Sequence, residues 1–305
     1  MLLSSKNEHE ELKYFVLMKN NTPVVLMPFW FRKVIFEGNE TGYSDISSPY
    51  GYSGPLYADN IDSDIPSIFW QEVDIWYKEN KVVSEFIRFN MQKNWIHYTG
   101  QIKPTLNNVR GKILPAEEQW NNFKPKVRNN YRKSVKSGLT SIIYHDNINA
   151  EVIEQFHDIY TRTMKRTKAS SLYFYDLKYF KDLIFNNPST CAIIIVYKDK
   201  TPISAELLLL SDTTINSFLG GTDDKYFDTR PNDFLKLEVL KWAREKGFTY
   251  YFLGGGRENN DSLYHYKKDF FPLDEDTIFY TGRKIIDKEG YNILVSNNPY
   301  CVGCT

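Results

Sequence analysis

Two periods of apolar recurrence alternate along this chain. Residues 12–18 and 23–31 alternate with period two around Asn20 and Asn21, which predicts a β-hairpin. Ile65, Ile68, Phe69, Val73 and Trp76 fall at helical spacing and predict a helix over 65–80. Residues 82–89 and 108–114 read as strands, and 115–123 as a short helix. Pro125 suits a first helical position, and Gly138 a helix end, so 125–137 is helical and 139–144 the next strand. Asn149 is placed to cap a helix over 150–167, whose stripe is Val152, Ile153, Phe156, Ile159, Tyr160 and Met164. A helix over 176–185 leads into strands at 191–197, 203–210 and 214–219. Asn232 is expected to cap a helix that Gly247 ends, with strands following at 249–253 and 277–281. Residues 37–63, rich in Gly, Ser, Tyr and Pro, predict a long loop whose aromatic residues argue against disorder.

Hairpin strands followed by helix, strand, helix and strand predict an α+β (α/β) fold. The first half shows a rougher version of the order in the second. At 305 residues the chain suits two related domains. The boundary is expected near residue 146, giving a first domain over 1–146, with 284–305 as a candidate addition, and a second over 147–283.

Charge and cysteine usage narrow the function. The formal net charge is zero, so a protein that coats nucleic acid through bulk charge is excluded, and no DNA partner is expected. Any polyanion contact must come from a local patch. The apolar runs are strand-length, too short to span a bilayer, and the N-terminus shows no signal-peptide core. Cys191, Cys301 and Cys304 make no disulfide framework, and the lone Cys301-Val-Gly-Cys304 is a weak metal or redox signal. A cytoplasmic location is expected, with peripheral membrane contact left open.

The most informative stretch is YFLGGGRENNDSLYHYKKDFFP, residues 251–272. Gly254, Gly255 and Gly256 directly follow a predicted strand, where glycine lets backbone approach a ligand and leaves N–H groups for an anion or carbonyl oxygen. Lys267 and Lys268 follow closely enough to add positive charge. Lys124, Lys126, Arg128, Arg132, Lys133 and Lys136 crowd together, and no acid occurs between Glu118 and Asp146. Arg128, Arg132 and Lys136 share one helical stripe that suits phosphate, although a solvated helix face explains the same spacing. Arg162, Lys165, Arg166 and Lys168 form a second cluster at a helix end, where the helix dipole also favours cations. No Walker loop, no GxGxxG after a strand, no GxSxG elbow and no metal-ligand histidine spacing is present.

Four segments together resemble the FemABX peptidoglycan-bridge aminoacyltransferases, relatives of the GNAT acyltransferases built from two such domains. They are SSPYGYSGPLY (47–57), FKPKVRNNYRKSVKSGL (123–139), FHDIYTRTMKRT with YFYDLKYFKDL (156–183), and the stretch from GGTDDKYF to LYHYKKDFFP (220–272). The resemblance implies two GNAT-like domains; here the chain begins almost directly at a strand, a departure from the family, so the first is expected to be reduced at its N-terminus. It implies transfer of an aminoacyl group from aminoacyl-tRNA to an amine on the stem peptide of a nucleotide- or lipid-linked cell-wall precursor, with no bound cofactor. It casts Lys267 in the electrostatic role at the oxyanion or at the donor's 3′ end, and Gly254, Gly255 and Gly256 as close backbone. Arg128, Arg132 and Arg166 would hold acceptor phosphates, with Arg32 and Lys33 as weaker candidates, and Tyr50 and Tyr52 would line the acceptor groove. Asp223 and Glu206 are candidate bases, though structural roles fit them as well. Acyl-CoA-dependent relatives carry a Gln/Arg-x-x-Gly-x-Gly/Ala turn that holds the CoA pyrophosphate. Here that connection is GGTDDKYFDTRPND, which lacks the glycine spacing and contains acids. An acyl-CoA-dependent N-acyltransferase of polysaccharide modification, acting on a sugar or amine, and a non-catalytic binder of nucleotide-sugar or tRNA remain the alternatives.

Overall fold

The computed structural model describes residues 9–296; Cys301 and Cys304 lie outside them. In chain order the elements are β1 (Glu10–Lys19), β2 (Thr22–Phe36), β3 (Asn39–Ser47), β4 (Leu56–Tyr57), α1 (Ile65–Glu79), β5 (Val82–Arg88), β6 (Gln101–Lys112), α2 (Ala116–Asn122), α3 (Pro125–Lys136) and β7 (Leu139–His145). They continue with α4 (Ala150–Arg166), α5 (Leu177–Phe185), β8 (Cys191–Lys198), β9 (Thr201–Leu210), β10 (Thr214–Thr222), α6 (Pro231–Glu245), β11 (Tyr250–Gly254), α7 (Ser262–Lys268), β12 (Thr277–Ile285) and α8 (Lys288–Ser296).

The chain divides into two units: residues up to Leu106 together with those from Ile278 on, and Asn107–Thr277. The division expected at residue 146 differs, because Phe123, Val127 and Leu139 pack into the core of the second unit. In the first unit β1, β2, β3, β5 and β12 lie side by side in that order. The expected long loop over 37–63 contains a strand: β3 runs antiparallel to β2 and parallel to β5. Its inward positions include Ser44 as well as Ile46, so its alternation carried little hydrophobic signal. Helix α1 buries Phe69, Trp70, Val73 and Tyr77 with Phe29 and Ile87 of the strands.

In the second unit the order is β6, β11, β10, β9, β8 and β7. The first six residues of β8 are all buried, as a strand covered on both faces requires. Cys191, Ile193 and Ile195 pack with α4 and α5, whereas Ala192, Ile194 and Val196 pack with α3 and α6. Asn149 caps α4 as expected, accepting from the Val152 N–H at 3.0 Å. Asn232 does not cap α6. The cap is Arg230, in the left-handed conformation with φ 60°, and the Asn232 amide oxygen instead accepts from the hydroxyls of Thr222 at 2.6 Å and Ser204 at 3.3 Å.

The feature that positions the site is a parting of two parallel strands. β10 pairs with β11 only through Thr214–Tyr250, Ile215–Tyr251 and Asn216–Phe252. An irregularity follows between Ser217 and Leu219, after which β10 keeps its ladder with β9 as far as Thr222. β11 keeps its own ladder with β6. Beyond Asn216 the two strands no longer bond to one another. The GGT segment, expected in a polar loop, is therefore the far end of β10. Gly221 lies so close to α4 that a Cβ there would stand 2.7 Å from the Ile159 carbonyl oxygen.

Candidate acyl-transfer site

Where β10 and β11 separate, four elements contribute one polar side chain each: Glu206 from β9, Ser217 from β10, Lys236 from α6 and Tyr251 from β11. All the ionisable members are buried, Glu206 at 5%, Lys236 at 8% and Tyr251 at 0% exposure. A buried ion pair is tolerated only when its remaining donors and acceptors are satisfied. Here the Lys236 Nζ donates to Glu206 Oε1 at 2.5 Å, Ser217 Oγ at 3.0 Å and Tyr251 Oη at 3.3 Å. Tyr251 in turn donates to Glu206 Oε2 at 3.0 Å, and Ser217 donates to Oε1. The network was legible only in outline: Glu206 interrupts the apolar run ISAELLLL, which is an unusual place for a charge.

A cavity of about 190 Å³ opens beside this network, lined by Thr163, Arg166, Gly220, Phe227, Asn232 and Lys236 among others. The Arg166 guanidinium lies 4.9 Å from the centre of the Phe227 ring. Among the described residues it makes no ion pair with a carboxylate, so it reaches the cavity wall as an unanswered cation.

The three glycines occupy the end of β11 and the turn into α7. Gly254 has φ 72°, and a Cβ on it would stand 3.7 Å from the Lys267 Nζ. A Cβ on Gly256 would meet Asp261 Oδ1 at 1.9 Å, so this position admits no side chain. Asp261 caps α7 by accepting from the Tyr264 N–H at 2.7 Å and also receives the Arg257 N–H at 2.7 Å. That cap aims the last turn of α7 back at the glycines, and Lys267 Nζ donates to the Gly255 carbonyl at 2.6 Å. Lys267 makes no ion pair among the described residues. Its neighbour Lys268 pairs with Asp276 at 2.8 Å and is structural. Burial, helped by the charge of Lys236, lowers the Lys267 pKa from 10.5 to about 8. Beside it the Tyr266 hydroxyl oxygen is buried with no hydrogen-bond partner, and burial holds its pKa well above 10.

The other expected residues fall elsewhere. Asp223 starts the turn before α6, accepting from the Lys225 N–H at 3.1 Å and pairing with Arg162 at 2.6 Å. Burial would raise its pKa, but those two donors outweigh it and lower the value. Glu206 is taken by Lys236. Arg128 donates to the carbonyls of Trp120 at 3.4 Å and Asn121 at 3.0 Å, satisfying the end of α2. Arg132 lies over the Trp120 ring at 5.2 Å. Both therefore meet α2, not the cavity beside β10. Lys33, Tyr50 and Tyr52 belong to the first unit. Lys33 pairs with Glu40 at 2.8 Å and Arg32 with Asp45 at 2.6 Å. Tyr50 faces Arg88 at 5.7 Å, and Tyr52 packs edge-on to Phe279 at 5.2 Å. Among the described residues no group of acids, histidines or cysteines is arranged to hold a metal ion.

The first turn of α6 carries a further carboxylate. Asp233 is buried at 6% exposure and accepts from the Asn130 amide at 3.1 Å. Burial raises its pKa, against the pull of Asn130 and Arg230. The first turn of α6, where a phosphate would gain most, thus carries a buried acid of the chain itself.

Comparison with known proteins agrees with this architecture. Residues 125–268 match the family described as acetyltransferase (GNAT) domain. Among solved structures, FemX superposes with a TM-score of 0.67 at 14% identity, covering 94% of this chain and 90% of that one. L-PGS from Bacillus licheniformis gives 0.62 at 13% identity, covering 96% and 89%. A tandem GNAT protein from the clavulanic acid biosynthesis pathway gives 0.51 at 8% identity, covering 90% and 83%. No curated protein matches the sequence. Residues 125–268 are thus similar to a GNAT acetyltransferase domain, and the chain as a whole has a two-unit, Fem-like GNAT fold.

Proposed function

We propose that this acyltransferase moves an aminoacyl group from aminoacyl-tRNA to an amine of a cell-wall precursor stem peptide. The observation that carries the reading is the contrast between the two sides of the opened strands. On the α6 side, the buried acid Asp233 stands in the first turn of the helix whose N-terminus a CoA pyrophosphate would need. On the β11 side, Lys267 stands beside close backbone with no carboxylate partner. The site is thus prepared for an activated acyl ester and poorly prepared for a pyrophosphate.

The chemistry asks little of the protein. The acceptor amine attacks the ester carbonyl, a C–N bond forms, and the ribose oxygen leaves with the electron pair of the broken C–O bond. The amine proton ends on that oxygen. The chain's part is to align the reactants and to stabilise the negative charge on the carbonyl oxygen. Lys267 is assigned that charge or the phosphate at the donor's 3′ end, and at neutral pH it is mostly protonated. Arg166 is assigned an acceptor phosphate. Asp223 and Glu206 are both committed to cations, so the proton is assigned to the substrate's own ribose or phosphate oxygen rather than to a protein base.

The test supplies the protein with a nucleotide-linked muramyl pentapeptide, its lipid-linked form or phosphatidylglycerol, together with charged tRNA or acetyl-CoA, and weighs the products. The phosphatidylglycerol arm answers to the likeness to the C-terminal domain of a putative lysylphosphatidylglycerol synthetase from Agrobacterium fabrum. A tRNA-dependent, residue-sized gain on the pentapeptide is expected, lowered by about 10²–10³ in Lys267→Ala. A gain only with acetyl-CoA would move the protein to the N-acyltransferases. No gain with any pair, alongside retained tRNA or nucleotide-sugar binding, would mark a non-catalytic binder.

A further inference from the structure

Strand β1 stands at the end of the first unit's sheet, and among the described residues it pairs with β2 alone. The Lys33 N–H donates to the His9 carbonyl at 3.0 Å. Main-chain groups alternate sides along an antiparallel strand. Glu11, Lys13, Phe15 and Leu17 therefore turn theirs toward β2, whereas Leu12, Tyr14, Val16 and Met18 turn theirs to the open edge. The irregularity in this ladder falls on β2: Leu17 faces Val25 and Met18 faces Pro23, so Val24 is the extra residue and β1 itself is unbroken. Edge strands are usually blunted by proline, a bulge or charge, yet Tyr14–Met18 carries none of these. On the outer face Tyr14, Val16 and Met18 are exposed at 50%, 49% and 52%. Leu26 and Leu56 extend that strip, because Val16 pairs with Leu26 and Leu26 with Leu56. On the other face lies a groove of about 250 Å³ between β1 and α1, lined by Phe15, Leu17, Phe69, Trp76, Glu72 and Glu79 among others.

We infer that β1 pairs with β1 of a second copy of this chain, antiparallel and two-fold about Phe15. Residues opposite one another must share a face of the sheet, so the axis passes through a residue and not between two. Charge then selects the register. About Phe15, Glu11 meets Lys19 of the second copy at both ends, Leu12 meets its Met18 and Tyr14 its Val16. About Val16, Lys13 would meet Lys19 twice, and like charges directly opposite repel. About Tyr14, Glu10 would meet Met18 and Glu11 would meet Leu17, leaving both acids opposite apolar side chains. The Phe15 register also sets the main-chain groups of the open edge against one another, Leu12 with Met18 and Tyr14 with Val16. Lys13 of the second copy stands opposite Leu17, on the side of the groove that carries Glu72 and Glu79. Neither acid is ion-paired among the described residues. Glu11 and Lys19 hold only surface partners in their own chain, Lys13 at 3.2 Å and Asp62. Because both copies use the same edge, assembly stops at two.

The test is sedimentation velocity of the full chain from about 1 to 100 µM. A concentration-dependent shift from the 35.9 kDa chain to a discrete species of two chains is expected. Val16→Pro removes an N–H that β2 does not use, so the dimer should be lost while the circular dichroism spectrum stays unchanged. Glu11→Lys and Lys19→Glu should each raise the dimer dissociation constant by about tenfold. An equimolar mixture of these two variants should restore the dimer, since every facing pair is then opposite in charge. A single-chain mass at all concentrations would overturn the proposal and leave the edge to a strand of another protein. So would a dimer that survives Val16→Pro, or a mixture that associates no better than either variant alone. None of these readouts uses turnover, so the result stands apart from the transferase reading.

Discussion

Replacing Lys267 with Met is expected to stabilise the second unit at neutral pH while removing turnover. The ammonium is held where burial and Lys236 disfavour it, and the fall in its pKa from 10.5 to about 8 corresponds to about 3 kcal/mol, at about 1.4 kcal/mol per pH unit. Water reaching the partly exposed side chain reduces that figure. The Gly255 carbonyl also loses a charge-assisted donor, worth about 1.5 kcal/mol. A net gain of about 1 kcal/mol at pH 7 remains after these offsets. Its pH dependence is specific. Below about pH 8 folded and unfolded chains both hold the proton, and the wild type carries the whole penalty. Between about 8 and 10.5 the folded chain releases its proton first, so wild-type stability rises with pH and the variant's advantage fades. The assay is urea unfolding of both proteins at about pH 7 and about pH 9.5, followed through the transition of the second unit. A variant less stable than wild type at neutral pH, with a gap that does not change at the higher pH, would refute the reasoning.

Two other substitutions separate structural from chemical roles. Glu206→Gln leaves the buried Lys236 ammonium without a counter-ion and should destabilise by about 3–5 kcal/mol. Adding Lys236→Met should recover part of that loss in the same unfolding measurement, and a double variant no better than the single one would show that the pair does not act as a unit. Asp223→Asn should cost about 1–2 kcal/mol through the lost turn contact and the Arg162 pair, with turnover unchanged. The wild-type advantage from this carboxylate is present above 3.8 and is lost as pH falls through its lower folded value, so the two proteins should converge in acid. Loss of turnover at full stability would instead return Asp223 to the chemistry.

What the sequence determined by itself was set by short-range rules. Helical spacing, the Asn149 cap, Pro125 and Gly138 located α3 and α4 because caps and apolar stripes act within a few residues of the atoms they satisfy. The glycine run before a lysine pair marked the β11–α7 turn for the same reason: Gly256 and Asp261 are five positions apart, and the contact between them is local. The fold class followed from the order of such elements. Strand β3 was hidden because its buried face includes Ser44, so the pattern that normally announces a half-buried strand was weak. Asn232 has the composition of a cap, yet Thr222 and Ser204, distant in sequence, claim its side-chain oxygen.

Tertiary structure alone decided which charges are already answered. Lys267 and Lys268 are adjacent and alike in sequence, but Asp276 neutralises one and leaves the other beside the glycine backbone. Arg128 and Arg166 both read as phosphate ligands, but the first is drawn to the end of α2 and the second lines a cavity. Glu206 and Lys236 meet only because β9 and α6 pack against the point where β10 leaves β11. A side chain's charge is written in the sequence, whereas its partner is fixed by the fold.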